Sequence, residues 1–272
     1  MSNLPPQRHR FDVAALQLKQ YPYGEGDQIL LLLTREHGLL RAIAKGTRKP
    51  RSKLAGLLAP LRCNQLTLVC GRNLHRVEQA SSLQSFSSLQ NDYDALMAGL
   101  VMGEVTAAFC QEEDPQPALF DAFCLGLLQL QSGFAPRALL LWFLLYLLEN
   151  QGFYQDWRYC AGCERQLQAK DRVFLLGSAG VLLCQPCKPG AEGARYLYPE
   201  QLLALQQLQQ APEPLPLDLD ERRCNGLLWF LQQHLEQLSG KSLKSFAFLY
   251  PLPEAGSASP VATPVKQGVN TP

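Results

Sequence analysis

The sequence predicts an α+β chain of several domains, in which an amino-terminal five-stranded β-barrel precedes an α-helical domain with an inserted ribbon. Three observations predict this fold class. Apolar and polar residues alternate in short, turn-separated runs up to about residue 80. From Asn91 onward the apolar residues recur at spacings of three and four, which is the helical period. Two Cys-x-x-Cys pairs then interrupt the helical part and are expected to close the ribbon.

Length and composition allow two or three structural units. A chain of 272 residues that is 47% apolar can bury two modest cores. We expect a barrel domain at 1–80 and a helical domain at 81–252, with the ribbon at 158–189. The stretch 253–272 is rich in Pro, Ser, Gly and Thr and has few large apolar residues, so it is predicted to be a disordered tail.

Five strands are predicted in the first 80 residues, because each is a short alternating run between turn signals. The predicted strands are Phe11–Gln20, Asp27–Thr34, Leu39–Ala44, Leu61–Cys70 and Asn73–Gln79. The basic segment Lys45–Lys53 lies between the third and fourth strands. It contains Gly46 and Pro50 and is therefore predicted to be a loop.

Five helices are predicted after the barrel. Asn91 or Asp92 can cap the first of them, and prolines suit the first turn of several others. Two short apolar runs, Val173–Leu176 and Val181–Leu183, flank a glycine-containing turn and predict a hairpin between the third and fourth helices. The predicted helices are Asp92–Cys110, Pro117–Leu130, Pro136–Asn150, Pro199–Gln210 and Asp218–Leu238.

The longest apolar run of the chain is Ala138–Leu148, bounded by Arg137 and Glu149. It has eleven residues, whereas a membrane-spanning helix needs about twenty. A helix that is apolar on all sides is instead expected at the centre of a bundle. No membrane partner is predicted.

The two Cys-x-x-Cys pairs predict a metal site. Cys160 and Cys163 form the first pair, Cys184 and Cys187 form the second, and twenty residues separate the pairs. Four thiolates at this spacing satisfy Zn²⁺ completely and leave no open coordination position, so we predict one structural zinc ion per chain. Two alternatives remain open at this point, namely chance pairs of reduced cysteines and a redox-active Cys-x-x-Cys.

The remaining five cysteines have apolar neighbours and are expected to be buried thiols. Free cysteines beside a metal framework favour a reducing cytosol over a secreted disulfide scaffold. The first residues show no signal-peptide pattern. We therefore expect a cytoplasmic protein. These cysteines are Cys63, Cys70, Cys110, Cys124 and Cys224.

The net charge of +1 conceals an uneven distribution along the chain. From Arg35 to Arg76 ten basic residues accompany one acid, Glu36, so this segment carries a charge of +9. From Val77 to Pro136 there is no Lys or Arg. A basic first lobe followed by an acidic helical segment indicates that a polyanion binds the first lobe.

A five-stranded barrel with a positive face is a common platform for single-stranded nucleic acid. The loop Lys45–Lys53 contributes five cations in nine residues, and arginines on neighbouring strands add to them. The alternatives are a solvated surface loop or a localisation-like basic run. The residues predicted to bind DNA are Arg35, Arg41, Lys45, Arg48, Lys49, Arg51 and Lys53.

No arrangement of residues in the sequence predicts catalysis. The four histidines are far apart in sequence, and no nucleophile triad, phosphate-binding glycine loop or pair of carboxylates is recognisable. Glu112–Asp114 is read as an exposed helix end. Phe11, Tyr21 and Tyr23 could stack on bases, although aromatic residues in barrel strands are more often part of the core. We expect a protein that is not an enzyme.

The order and spacing of several motifs resemble one known family. These motifs are Tyr23-Gly-Glu-Gly-Asp27 followed by Ile29–Thr34, Glu36-His-Gly38 leading into Ala44–Arg48, and the two cysteine pairs after Leu148–Phe153. Together they resemble the RecO family of bacterial DNA repair and recombination mediators. The resemblance covers the chain from Phe11 to about Leu249.

The resemblance implies an amino-terminal OB-fold, a helical carboxy-terminal domain with a zinc ribbon, and no catalytic turnover. It implies binding of single- and double-stranded DNA, annealing of complementary strands, and association with the nucleoid. It also implies action with RecR, often with RecF, to help RecA replace the single-strand-binding protein SSB. The loop Lys45–Lys53 would then hold DNA phosphates, whereas Glu25 and Asp27 would order the first hairpin.

The resemblance further implies that the acidic SSB tail docks on the helical domain. Lys241 and Lys244 beside Leu243 and Phe246 are the candidates for this surface, and the alternative is that these residues only cap and pack the last helix. A different class of function also remains open, namely a zinc-ribbon accessory factor of transcription or translation that binds RNA or protein.

Overall fold

The computed structural model describes residues 9–52, 54–188, 190 and 193–250. Lys53, one of the predicted DNA-binding residues, and the predicted tail 253–272 lie outside these residues. Within them, five strands form a barrel, five helices follow, and a three-stranded ribbon lies between the third and fourth helices.

The barrel strands agree closely with the predicted runs, because the alternation of apolar residues directly reflects which side chains point inward. The barrel closes in the order β1-β2-β3-β5-β4, with β3 parallel to β5 and the other neighbours antiparallel. This is the five-stranded arrangement expected of an OB-fold. The strands are β1 Arg10–Tyr23, β2 Asp27–Thr34, β3 Gly38–Ala44, β4 Cys63–Val69 and β5 His75–Gln84.

Two strands run further than predicted. β1 continues through Pro22 to Tyr23, and Pro22 pairs with Gln28 in the antiparallel ladder. β5 continues to Gln84, past the predicted domain boundary at residue 80. Both extensions are mostly exposed, and their length comes from pairing with a neighbouring strand rather than from a buried apolar pattern.

The two faces of the barrel wall pack against different cores. Leu30 and Leu32 of β2 fill the barrel interior, together with Val13 of β1. Leu33 of β2 and Leu16 of β1 point to the other side and join the core of the helical part. The continuous apolar run Ile29–Leu33 is thus buried on both faces, which fixes the register of this strand.

Helix bounds also follow the sequence pattern. Asp92 caps α1 by accepting a hydrogen bond from the backbone N–H of Ala95 (3.0 Å). α5 begins three residues later than predicted, because Asp220 takes the extended N-cap position and accepts from the backbone N–H of Arg223 (2.8 Å). The helices are α1 Tyr93–Phe109, α2 Pro117–Gln131, α3 Pro136–Asn150, α4 Pro199–Gln210 and α5 Glu221–Ser239.

The apolar run Ala138–Leu148 lies in α3, and the prediction that it forms the central helix of a bundle is confirmed. Ten of the fifteen residues of α3 are buried, among them Trp142 and Phe143. The other helices pack around it, and no described helix is long and apolar enough to cross a lipid bilayer.

The ribbon has one strand more than predicted. β6 Val173–Leu176 pairs with β7 Val181–Cys184 as the expected hairpin, and β8 Arg195–Leu197 adds to the free side of β6. β8 has only three residues, which is too short for an alternating pattern to be recognised in the sequence.

The turn of the ribbon hairpin packs directly against α5. Gly180 has φ +65°, and a Cβ at this position would lie 2.2 Å from the ring of His234. Only glycine therefore permits this contact. The ribbon is anchored to the last long helix through this close approach.

The prediction that the five remaining cysteines are buried is wrong for Cys70. Cys70 follows β4 and is exposed, because its position after the last paired residue takes it out of the barrel wall. Cys124 is half-buried, and the neighbouring Cys63 thiol, followed by burial, raises its pKa. Cys63, Cys110 and Cys224 are buried as expected.

Candidate nucleic-acid interface and metal centre

The basic loop after β3 is held in place by the turn between β1 and β2. The Asp27 carboxylate accepts a hydrogen bond from the backbone N–H of Gly46 (2.8 Å), and the carbonyl of Gly26 accepts from the backbone N–H of Arg48 (3.0 Å). Thr47 points inward and is buried. Asp27 therefore orders the loop after β3, whereas the resemblance implied that it orders the first hairpin.

The cationic side chains of this loop are exposed. Lys45, Arg48, Lys49 and Arg51 all face solvent, and none of them forms an ion pair with a described residue. The Arg48 guanidinium makes a weak hydrogen bond to the carbonyl of Gly24 (3.4 Å). Four positive charges are thus presented together and remain available to phosphate groups.

Two tyrosines lie on the strand that enters the same turn. Tyr21 and Tyr23 are 50% and 51% exposed, although the sequence pattern favoured core positions for aromatic residues in barrel strands. They lie at the end of β1, beyond the part of the strand that faces either core. Exposed aromatic rings beside cations can receive unstacked bases, so the turn and the loop together form a candidate interface for single strands.

Arg35 and Arg41, also predicted to bind DNA, have intramolecular partners. The Arg35 guanidinium donates two hydrogen bonds to the carboxylate of Asp121 in α2, both at 2.9 Å. This hydrogen bonding, together with the charge of Asp121, raises the pKa of Arg35. Arg41 Nε lies 2.7 Å from Oε1 of Glu112. The Arg35–Asp121 pair could not be predicted from the sequence, because the two residues are 86 positions apart.

The acidic segment Glu112–Asp114 is more than an exposed helix end. Its backbone pairs with Leu39, since the N–H of Glu113 donates to the Leu39 carbonyl (3.1 Å). A Cβ on Gly38 would lie 1.9 Å from the carbonyl oxygen of Asp114. The acidic segment therefore packs against the start of β3, where it neutralises part of the positive charge of the barrel.

Three histidines that are distant in sequence meet at one aromatic ring. The rings of His37 and His75 each lie 5.2 Å from that of Phe11, and His9 lies at 6.3 Å. The pKa of His75 is lowered. Burial is the main cause, Glu113 opposes it, and the charge of His37 adds to the lowering. They do not form a metal site with other described residues, and we assign them a packing role.

The four cysteines of the ribbon come together as predicted. Their sulfur atoms all lie within 4.8 Å of one another. The Cys184 sulfur is 3.6 Å from that of Cys160 and 3.7 Å from that of Cys163. A tetrahedron of sulfurs at about 2.3 Å from a central Zn²⁺ has edges of about 3.8 Å, which fits this arrangement. The cluster could therefore hold a metal ion.

The surroundings of the cluster stabilise thiolates. Burial alone would raise the pKa of Cys160, but backbone N–H groups of Cys184 (3.3 Å), Gly162 (3.4 Å) and Cys163 outweigh it and lower this pKa to about 6. The neighbouring Cys184 sulfur, together with Asp171, raises the pKa of Arg165, so a cation lies beside the cluster. Deprotonated sulfur is the form that binds metal ions, so these contacts favour ligation.

The surface suggested for the SSB tail is only partly accessible. Leu243 and Phe246 are 2% and 0% exposed, so they belong to the core. Lys241 donates from Nζ to the carbonyl of Ala108 (3.3 Å), and Lys244 is exposed. The expectation that Leu243 and Phe246 offer an apolar docking surface is wrong, because the segment 241–248 packs against α1.

The fold and its sites define a class of protein in which a small OB-fold with a cationic loop is joined to a helical part that carries a tetracysteine ribbon. Two family models match the chain, "Recombination protein O N terminal" over residues 9–86 and "Recombination protein O C terminal" over residues 90–247. The chain therefore belongs to the RecO family.

Curated relatives support the same assignment, and each is named DNA repair protein RecO. One from a Synechococcus strain (JA-3-3Ab) is 32% identical, over 95% of this chain and 91% of the relative. One from Synechococcus elongatus is 33% identical over 76% of this chain and 82% of the relative. One from Thermosynechococcus vestitus is 32% identical over 82% of this chain and 90% of the relative.

Proposed function

We propose that this chain acts in recombinational DNA repair without catalysing a reaction. It binds single- and double-stranded DNA, promotes annealing of complementary strands, and helps RecA to replace SSB on single strands. The observation that carries the proposal is the group of four exposed cations, without ion-pair partners in the described structure, beside two exposed tyrosines on the OB-fold of a RecO-family chain.

The proposed mechanism is electrostatic. Lys45, Arg48, Lys49 and Arg51 neutralise phosphates and release condensed counterions, which lowers the repulsion between two complementary strands. Backbone contacts carry no sequence information, so base pairing between the strands supplies the specificity. Tyr21 and Tyr23 hold bases unstacked and ready to pair.

Membership in the RecO family supports a set of protein partners. RecR, the SSB tail and RecA are proposed on this ground, with RecF as a further functional partner. The buried positions of Leu243 and Phe246 argue that the SSB tail uses another part of the helical surface.

We further propose that the metal is one structural Zn²⁺ per chain, held by Cys160, Cys163, Cys184 and Cys187. Four thiolates complete its coordination, so the ion stabilises the ribbon and supplies no reactive water. The spacing of the four sulfurs and the N–H donors around Cys160 support this assignment.

Annealing of complementary oligonucleotides, bare or coated with SSB, tests the proposal. The parent chain is expected to accelerate annealing in both cases, and Lys49→Ala/Arg51→Ala to slow it at the same protein concentration. Lys241→Ala/Lys244→Ala removes the same charge from exposed residues outside the loop and is the matched control on bare DNA. Failure of the parent to anneal either substrate, or a stronger effect on RNA than on DNA, would favour the accessory-factor class instead.

A further inference from the structure

A second group of aromatic and cationic residues lies far along the chain from the basic loop. It covers the outer face of the ribbon and the start of α5, and we call it the ribbon surface. Three of its cations lie over its aromatic rings, and all of its members are exposed or half-buried. The ribbon surface consists of Phe174, Lys188, Arg195, Tyr196, Tyr198, Arg222, Arg223 and Trp229.

The aromatic rings of the ribbon surface form a continuous row. Phe174 of β6 is paired with Tyr196 of β8, and their ring centroids are 5.9 Å apart. Tyr196 is in turn 5.2 Å from Tyr198. Tyr196 is 41% exposed and Tyr198 is 48% exposed. Two large rings are therefore presented to solvent side by side, where a soluble surface normally carries smaller polar groups.

Cations lie over aromatic rings of the ribbon surface. The Arg195 guanidinium carbon is 3.7 Å from the centroid of the Trp229 ring, which is a close stacking distance. Arg223 lies 5.0 Å from the ring of Tyr198. Because Arg195 is exposed, the face of its guanidinium that does not contact Trp229 is open to a further flat group.

The ribbon surface carries an excess of positive charge. Arg223 is paired with Asp220 and Glu200. Among the described residues, Arg195 and Arg222 have no ion-pair partner. Arg222 also occupies the first turn of α5, where the helix dipole disfavours a cation. Its charge acts favourably on the nearby N-cap carboxylate of Asp220, and its exposed side chain remains accessible to an anion.

We propose that the ribbon surface binds single-stranded DNA, as a second contact in addition to the basic loop. Phosphates would pair with Arg195 and Arg222, and unstacked bases would stack on Tyr196 and on the open face of Arg195. Sequence-tolerant binding of single strands uses this combination of cations and exposed rings. The proposal rests on the proposed function only in that the ligand is DNA.

Single strands fit this surface better than duplex DNA or an acidic peptide. In a duplex the base faces are stacked on one another and cannot reach the rings. An acidic peptide with an apolar end needs a deep apolar pocket, whereas the groove here is lined as much by polar groups, such as Gln201 and Arg222, as by apolar ones. Two single-strand contacts on one chain would also keep neighbouring stretches of a strand extended for pairing.

Tryptophan fluorescence gives a direct test, because the chain has three tryptophans. Trp142 and Trp157 are 1% and 5% exposed, whereas Trp229 is half-buried under Arg195. Titration of the full chain with an oligothymidylate at low salt is expected to quench the emission, and Trp229→Phe is expected to abolish the quenching. The emission of Lys49→Ala/Arg51→Ala should still be quenched when the variant is saturated with the oligothymidylate. This result would show that binding at the ribbon surface does not require the basic loop.

A binding measurement completes the test. Arg195→Ala/Arg222→Ala is expected to weaken binding of the single strand by roughly tenfold, because it removes two phosphate contacts and the guanidinium on which a base stacks, and to leave duplex binding within twofold. Arg222→Ala alone, at an exposed position, should show part of the loss even if the double variant folds poorly. The proposal would be overturned if the parent bound the oligothymidylate without a change in emission and if Arg195→Ala/Arg222→Ala and Arg222→Ala bound it as tightly as the parent. Quenching by an acidic peptide but not by the oligothymidylate would overturn it as well.

Discussion

At the scale of single residues, small contacts decide which side chains are free to act. Asp27 accepts the Gly46 N–H and thereby fixes the cationic loop. Gly180 leaves room for the ring of His234, which joins the ribbon to α5. Neither residue touches a ligand in our account, yet each positions a surface that does.

His234 makes folding stability depend on pH. It is 4% exposed, its Nδ1 has no hydrogen-bond partner among the described residues, and burial lowers its pKa below the ordinary 6.5. The unfolded chain therefore takes up a proton at higher pH than the folded chain does. The contribution of neutral His234 to stability is complete above about pH 6.5 and is lost as the pH falls below that value.

We expect His234→Gln to weaken this dependence. Urea unfolding between pH 7.5 and pH 5 should show the parent losing stability more steeply, by at most about 1.4 kcal/mol per pH unit, the value for one proton. The other histidines are the same in both proteins, so their contributions to the pH dependence of stability cancel in the comparison. Parallel pH profiles for parent and variant would show that His234 is not the responsible group.

At the scale of elements, acidic parts of the helical region lie against the barrel. Asp121 of α2 holds Arg35, and Glu112 before α2 holds Arg41. These pairs divide the positive charge of the barrel into a neutralised side and the free basic loop. The charge pattern of the sequence predicted a positive barrel, but only the packing of α2 shows which cations are left without a carboxylate.

Release of Arg35 should increase DNA binding. Asp121→Asn removes the carboxylate while keeping the shape of the side chain, so Arg35 becomes available to a phosphate. We expect tighter duplex binding and a logarithmic salt slope steeper by about 0.9, the value for one phosphate contact. Glu149→Gln changes the charge equally at an exposed position at the end of α3. If the two variants bind alike, Arg35 does not contact DNA.

The ribbon depends on its four cysteines, because its three short strands have little core of their own. Metal removal by a chelator, or Cys184→Ser, is expected to lower the Tm by at least about 5 °C and to leave duplex binding by the barrel largely intact. Cys70→Ser is the control, since Cys70 is exposed and distant from the cluster in sequence. Elemental analysis of freshly purified reduced protein should find one zinc per chain. Absence of metal, or an unchanged Tm after chelation, would contradict a structural ion.

At the scale of the whole molecule, the sequence predicted the architecture better than the surfaces. The apolar runs of β2 and α3, each bounded by polar or turn-forming residues, are local signals, and both elements appear where they were predicted. The four cysteines could be predicted because each pair already fixes two ligands locally. The strand β8 and the row Phe174, Tyr196 and Tyr198 depend on residues that meet only after folding, so spacing alone gave no signal for them.

The same limit applies to the DNA-binding residues. Seven cations were predicted from charge density alone, which cannot distinguish the exposed Lys49 from Arg35 in its pair with Asp121. Two cationic surfaces, one on the barrel and one on the ribbon, give the molecule two places to hold a strand. Annealing by charge neutralisation requires the first of them, and our central claim is that the basic loop binds phosphates.

The salt dependence of single-strand binding tests that claim most directly. The dissociation constant of an oligothymidylate is measured at several salt concentrations for the parent and for Lys49→Ala/Arg51→Ala. If the basic loop binds phosphates, the logarithmic slope is smaller in the variant by about 1.4, the value for two lost phosphate contacts on a single strand. Equal slopes for the two proteins would contradict this claim.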